Sequence, residues 1–165
     1  MKQLPDKIAL DKAVHGQRCY QGEVKLKQMV RLKDLLADDA GSAEFSIQFG
    51  KAVKLLGKAQ IKIKTNLPLI CTISAKKFLL PIEINTTIGF IDDLAYEAFL
   101  STGMEASWVE NGVVKPLDLI EDELILAVPD APFDENIETD ISENSNEKEI
   151  SQPMSNPFAV LKSLK

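Results

Sequence analysis

Between Ser42 and Gly50 apolar and polar residues alternate without a break. Ala43, Phe45, Ile47 and Phe49 fall on one side, and Ser42, Glu44, Ser46 and Gln48 on the other. Successive side chains of a strand point to opposite faces, so a run of this kind hides its apolar half only by lying in a sheet with one wet face. The same period returns between Lys58 and Ile73, with Ala59, Ile61 and Ile63 inward and Lys58, Gln60, Lys62 and Lys64 outward. A third run, Phe78 to Ile88, carries Ile82, Ile84 and Ile88. Pro68 and Pro81 have no N–H to give a ladder, so these stretches should lie at an edge or bend there. Three consecutive strands on short links imply an antiparallel meander.

The flanks add elements of other periods. Cys19 to Leu26 reads as a short strand, with Val24 and Leu26 alternating with Glu23 and Lys25. Met29, Leu32, Leu35 and Leu36 recur at helical spacing over Lys27 to Asp38, and Gly41 follows as a stop, which predicts an amphipathic helix of about three turns. Leu94 to Leu100 reads as a helical turn or irregular segment. Asn111-Gly112, between Trp108 and Val114, is a strong hairpin signal. Leu117 to Ala127 should be a helix with Leu117, Ile120, Leu124 and Ala127 on its apolar face, Pro116 near its start and Pro129 beyond its end. The predicted fold is therefore α+β: an antiparallel sheet of roughly five or six strands with a few helices packed on one face.

Residues 1–131 are expected to form this single domain. Residues 132–155 are rich in Asp, Glu, Asn and Ser with no periodicity, and should be a disordered acidic linker. In 156–165, Asn156 suits an N-cap and Pro157 a first helical position, while Phe158, Leu161 and Leu164 share one face. That predicts a short amphipathic docking helix, too short to be stable alone. Either its own domain or a partner would serve as its dock, its own domain being the simpler reading.

The net charge of −6 conceals a division. Residues 1–91 hold 15 Lys or Arg against 8 Asp or Glu, whereas 92–165 hold 4 against 17. A +7 half followed by a −13 half suggests a surface for a polyanion and an acidic tail that competes for it, with solvated faces as the plain alternative. The longest apolar stretches, such as Leu79 to Ile84, fall far short of the roughly 20 residues a membrane helix needs. The start, Met1 to Asp11, alternates charged and apolar residues unlike a signal peptide, so a soluble cytoplasmic protein is expected.

Candidate catalytic chemistry is sparse. There is no Gly-rich phosphate loop, dinucleotide fingerprint or Gly-x-Ser-x-Gly elbow. The single histidine, His15, lies in a polar stretch and reads as exposed. Cys19 and Cys71 are expected to be reduced thiols, and with one histidine they fall short of a zinc site. Cys71 sits in an apolar run, where burial should raise its pKa and leave it inert. Asp118, Glu121, Asp122 and Glu123 read as helix-terminal charge and solvation rather than as a site. The better lead is a basic stripe: Lys58, Lys62 and Lys64 on one strand face, preceded by Lys51 and Lys54 and followed by Lys76 and Lys77. Such lysines either blunt a sheet edge or track a phosphate backbone. No aromatic residue interleaves them, so contacts to backbone or shape are expected rather than base stacking.

Two segments carry a family likeness. Asp118-Leu-Ile-Glu-Asp-Glu-Leu-Ile-Leu-Ala-Val-Pro129, with Asp118, Glu121, Glu123, Leu124 and Pro129, resembles the most recognisable motif of the bacterial YceD family, a large ribosomal RNA subunit accumulation protein. Asn156-Pro-Phe-Ala-Val-Leu-Lys-Ser-Leu-Lys165 resembles the end of that family's sequences, reached there too through an acidic linker. The resemblance implies a non-catalytic role in ribosome biogenesis: synthesis, processing or stability of 23S ribosomal RNA, with no cofactor, small-molecule substrate or membrane partner. The implied partner is large-subunit ribosomal RNA, or an RNA-handling protein recruited through Phe158, Leu161 and Leu164. Many members carry a Cys-x-x-Cys pair; here Cys71 is followed by Ser74, so no metal is expected there.

Overall fold

The structure is a computed structural model that describes residues 4–135. It is α+β, with a five-stranded sheet in the order β2-β3-β4-β5-β6: β2 (Cys19–Lys25), β3 (Ser42–Gly50), β4 (Gly57–Ile70), β5 (Lys77–Ile91) and β6 (Met104–Trp108). The first four are antiparallel neighbours, as the alternating runs predict. The fifth is not: β6 lies parallel to β5, with Thr87 opposite Met104 and Ile91 opposite Trp108. The crossover between them contains a 3₁₀ turn, Leu94–Phe99, whose start is held by the Asp93 carboxylate accepting from the Ala95 N–H at 2.8 Å. A second, two-stranded sheet pairs β1 (Ile8–Ala9) with β7 (Val113–Val114).

The strand periodicity decides the core. Ala43, Phe45, Ile47, Phe49, Ala59, Ile61, Ile63, Ile88 and Phe90 are buried on the inner face. Phe49 stacks on Phe90 at 5.9 Å and receives the edge of Tyr20 at 6.0 Å. Leu10, Ala13 and Val14 of α1 (Leu10–His15), together with Leu26, Met29 and Leu32, close over this face. So do Ile120 and Leu124 of α2 (Pro116–Ala127), which matches the helix expected there.

The helix expected over Lys27 to Asp38 does not form. Two short 3₁₀ turns, Leu26–Gln28 and Leu32–Leu35, replace it, with Met29 extended between them. The backbone groups find distant partners instead of i→i+4 bonds. The Arg31 and Leu32 N–H groups donate to Glu121 Oε1 at 2.6 and 3.1 Å, and the Ala37 N–H donates to the Pro68 carbonyl at 2.8 Å. Tertiary acceptors have replaced the helical ladder. The Asn111-Gly112 turn is present, both residues left-handed at φ 54° and 66°. Its arms, however, go to different sheets, β6 to the large one and β7 to the small one.

The two prolines occupy edges. β3 pairs with β4 only as far as Thr65, and β6 pairs with β5 only over Thr87–Ile91. Among the described residues, 66–70 and 77–81 therefore form a two-stranded ribbon, in which Pro68 and Pro81 each face a side that carries no strand. This ribbon closes through the turn Cys71 to Lys76, with Ala75 left-handed at φ 54°. The domain does not stop at 131: the Thr72 N–H and hydroxyl both donate to the Pro132 carbonyl, at 2.8 and 3.1 Å, and fasten the chain to the turn. Residues 136–155 of the predicted linker and the whole predicted docking helix, with Asn156, Pro157, Phe158, Leu161 and Leu164, lie outside the described residues.

Candidate nucleic-acid interface

Lys58, Lys62 and Lys64 share the outer sheet face, but their neighbours differ. Lys58 lies between Gly50 and Gly89, and Lys62 between Ser46 and Asn85. Lys64 lies between Glu44 and Glu83, with Glu23 one strand further on. At this position acids outnumber the lysine, so any positive potential falls off along β4 from Lys58 towards Lys64. Lys76 and Lys77 belong to the far end of the hairpin, where Lys77 opposes Ile70 and is ion-paired to Asp38. The hydrogen bond from Lys77, and a second from the Ala40 N–H, hold the Asp38 carboxyl below its ordinary range. The seven lysines of the sequence stripe thus divide into two groups at opposite ends of the sheet.

At the near end the fold supplies what the sequence stripe lacks. Lys51 and Lys54 lie in the loop between β3 and β4, which meets the crossover after β5. Lys54 Nζ sits 4.2 Å from the centre of the Phe99 ring, a cation–π arrangement. Tyr96 lies beside Phe99 at 6.4 Å between ring centres. Tyr96 and Phe99 are 39% and 41% exposed, and Trp108, at the end of β6, is 54% exposed. Tyr96 and Phe99 are distant in sequence from Lys54, and the crossover that leads into β6 brings the Phe99 ring to it. Gly89 makes this possible. A Cβ there would come within 2.5 Å of Leu100, 2.8 Å of Met104 and 3.0 Å of Leu55, so a side chain would push the crossover off the sheet. Among the described residues Lys51, Lys58, Lys62 and Lys64 have no ion-pair partner.

The acids of α2 are not the solvated charges that their sequence suggests. Glu121 is buried, its side chain 6% exposed, and besides the Arg31 and Leu32 N–H groups it accepts from the Arg31 guanidinium. Asp122 grips the same guanidinium, and the Asp118 carbonyl accepts a third bond from it while the Asp118 carboxylate pairs with Lys115. The hydrogen bond that Arg31 donates to Asp122, supported by Glu121, raises its pKa above the ordinary value. The reason is geometric: the irregular segment leaves N–H groups unbonded, and a carboxylate one turn into α2 reaches them. Glu123 points away from this knot. Burial, with Glu105 and Asp122 nearby, pushes its carboxyl up. Leu124 is core, and Pro129 is exposed just past the helix.

Cys71 also departs from expectation. It is only 1% exposed, and burial alone would push its thiol up. Hydrogen bonds from the Ser74 hydroxyl and from the backbone N–H groups of Ser74, Asp134 and Ile73 outweigh this and bring it down to about 7. The residue lies at the first position of a tight turn rather than inside a strand, and such turns aim their N–H groups inward. His15 is exposed and paired with Asp11, Nδ1 to Oδ1 at 2.8 Å. Among the described residues no three His, Cys, Asp or Glu side chains gather to hold a metal ion, and no helix is long and apolar enough to cross a membrane.

Comparison with protein-family models, with curated proteins and with solved structures gave no match.

Proposed function

We propose that this protein is a non-catalytic RNA-associated factor that supports accumulation of large-subunit ribosomal RNA in the cytoplasm, and that it touches RNA at the near end of its sheet. The observation that carries the reading is Lys54 Nζ over the Phe99 ring with Tyr96 beside it, next to the outer-face position where Lys58 opposes Gly89. Lysines neutralise phosphates, and aromatic faces accept unpaired bases with little regard to sequence. The pairing suits a single-stranded stretch better than a duplex, whose bases are not free to stack. Lys64, opposed by two glutamates, and Lys76 and Lys77, at the other end, take no part. The link to the large ribosomal RNA comes from the likeness of Asp118 to Pro129 and Asn156 to Lys165 to the YceD family.

The test has a cellular and a molecular arm. The ratio of large-subunit to small-subunit ribosomal RNA is measured in cells lacking the protein, then with wild type or Lys54→Glu/Lys58→Glu restored. A fall rescued only by wild type supports the reading. In parallel, binding to a labelled single-stranded oligoribonucleotide is titrated against salt. Phosphate contacts must weaken as salt rises. An unchanged ratio in the deletion, or binding indifferent to salt, sinks the proposal.

A further inference from the structure

The β2 edge of the large sheet is open. The Phe49 N–H donates to the Arg18 carbonyl and the Leu26 N–H to the Gly41 carbonyl, so Arg18 and Leu26 bond towards β3. Bonded and non-bonded pairs alternate along an antiparallel ladder, so Cys19, Gln21, Glu23 and Lys25 turn their N–H and C=O groups away from β3. Gln28 Oε1 accepts from the Lys25 N–H at 3.3 Å and closes that end. Among the described residues no strand and no side chain takes the N–H groups of Cys19, Gln21 and Glu23. Both sides of this edge are shaped. On the inner side Gly22 has no side chain, and a cleft of about 390 Å³ opens beside the Phe45 ring, walled by Leu4, Asp6, Val24 and Leu117. On the outer side Glu23 stands directly opposite Glu44 in a non-hydrogen-bonded pair, where side chains come closest and like charges repel. Among the described residues Asp6, Glu23 and Glu44 are in no ion pair, and Lys64, one strand further, pairs with none of them.

We infer that this edge takes an added strand, an extended basic segment of another protein, with an apolar side chain opposite Gly22 in the cleft and a Lys or Arg next to it in sequence, opposite Glu23. Successive residues of a strand face opposite ways, so a basic–apolar alternation meets both sides at once. Main-chain bonds to Gln21 and Glu23 hold the segment, and charge selects it. Charged residues blunt an edge against association, but the middle of this one carries a single sign. It repels an acidic strand, and a cation beside Glu23 relieves the repulsion from Glu44. A second copy paired antiparallel about a two-fold axis fits poorly. The residues it turns to the inner face are Tyr20, Gly22 and Val24, and Tyr20 and Val24 are already packed in their own core. This inference does not rest on the RNA reading and shares no residue with the Lys54–Phe99 surface.

The test uses the full chain and two synthetic peptides, acetyl-Lys-Val-Lys-Val-Lys-Val-Lys-amide and its counterpart with Glu for every Lys, and reads backbone NMR. The basic peptide should shift the Gln21 and Glu23 amide signals and protect both amides from hydrogen exchange, and the acidic one should do neither. Glu23→Lys should weaken the basic peptide about fivefold, by exchanging an attraction across the strands for a repulsion. Gly22→Leu, whose side chain would fill the cleft, should weaken it at least as much while the melting temperature holds. A basic peptide that binds with Gln21 and Glu23 unprotected, or that protects the free edge of β5 over 77–85 instead, overturns the inference. So do equal binding of the acidic peptide and indifference to Gly22→Leu in a folded chain. Protection of Gln21 and Glu23 that grows with protein concentration in the absence of peptide overturns it in favour of a second copy.

Discussion

The two ends of the β4–β5 hairpin are built from the same alternation yet live differently. At the near end both faces are covered: α1 closes the inner face, and Leu55, Leu100 and Met104 close the outer one over Gly89. The far end, among the described residues, is a two-stranded ribbon with a free edge, held at its tip by the Cys71 turn and on its flank by the Ala37–Pro68 bond. Covering comes from neighbours, so an identical pattern of side chains yields a rigid platform at one end and an unfinished surface at the other.

The sharpest way to break this contrast is to loosen α2, which helps to shelter the far end. Glu121→Ala strands the Arg31 and Leu32 N–H groups, while Asp122 still holds the guanidinium, and each unsatisfied N–H costs about 1–3 kcal/mol. Chemical denaturation should show that loss, and hydrogen exchange should rise at 66–82 more than at 43–50. Equal loss at both ends would mean that the ends are not independent. Next, Gly89→Val should lift the crossover, at a cost of about 1–3 kcal/mol, and weaken oligoribonucleotide binding while Cys71 keeps its titration. Third, Lys54→Glu/Lys58→Glu should weaken that binding about tenfold near 0.1 M salt, whereas Lys76→Glu/Lys77→Glu should change it less than about twofold. Equal effects would erase the division of the lysines.

Two titrations give the smallest effects. In a Cys19→Ser background, thiolate absorbance should rise with a midpoint of about 7, and Ser74→Ala should move it upward. The folded pKa lies below the roughly 8.5 of a free thiol. The stabilisation is therefore complete above the free value and is lost as pH falls through about 7. Glu123 has the opposite sign. Its folded pKa is raised, so its contribution is present below the ordinary carboxylate range and is lost as pH climbs through the folded value. Glu123→Gln should raise the melting temperature at pH 7 and have no effect near pH 3.

Period-2 alternation made β3 legible to the residue and β4 and β5 to within three residues at their ends, because one buried face leaves a strand no second choice of register. The proline pair and the late helix were legible for similar local reasons. What escaped was decided at a distance. The spacing of Met29, Leu32 and Leu36 fits a helix, and only the reach of Glu121 to Arg31 explains why none forms. Asn111-Gly112 specifies a turn but not which sheets receive its arms. The lysine stripe was visible, while its division by Glu44, Glu83 and Asp38, and its company of Tyr96 and Phe99, required pairings that no local pattern encodes. Cys71 was misjudged because a thiol's pKa depends on which N–H groups its turn aims at it, not on how apolar its neighbours are.

The pairing of Ile8 with Val114, and of Arg31 with Glu121, has a consequence during synthesis. The meander is complete once β5 has emerged, but the strand partner of β1 and the clamp on Arg31 are made only later. A nascent chain halted near residue 100 therefore holds its sheet and leaves Met29 and Leu32 without their lid. Translation order makes α2 the final latch, so truncation there should expose the nascent domain to quality-control proteases.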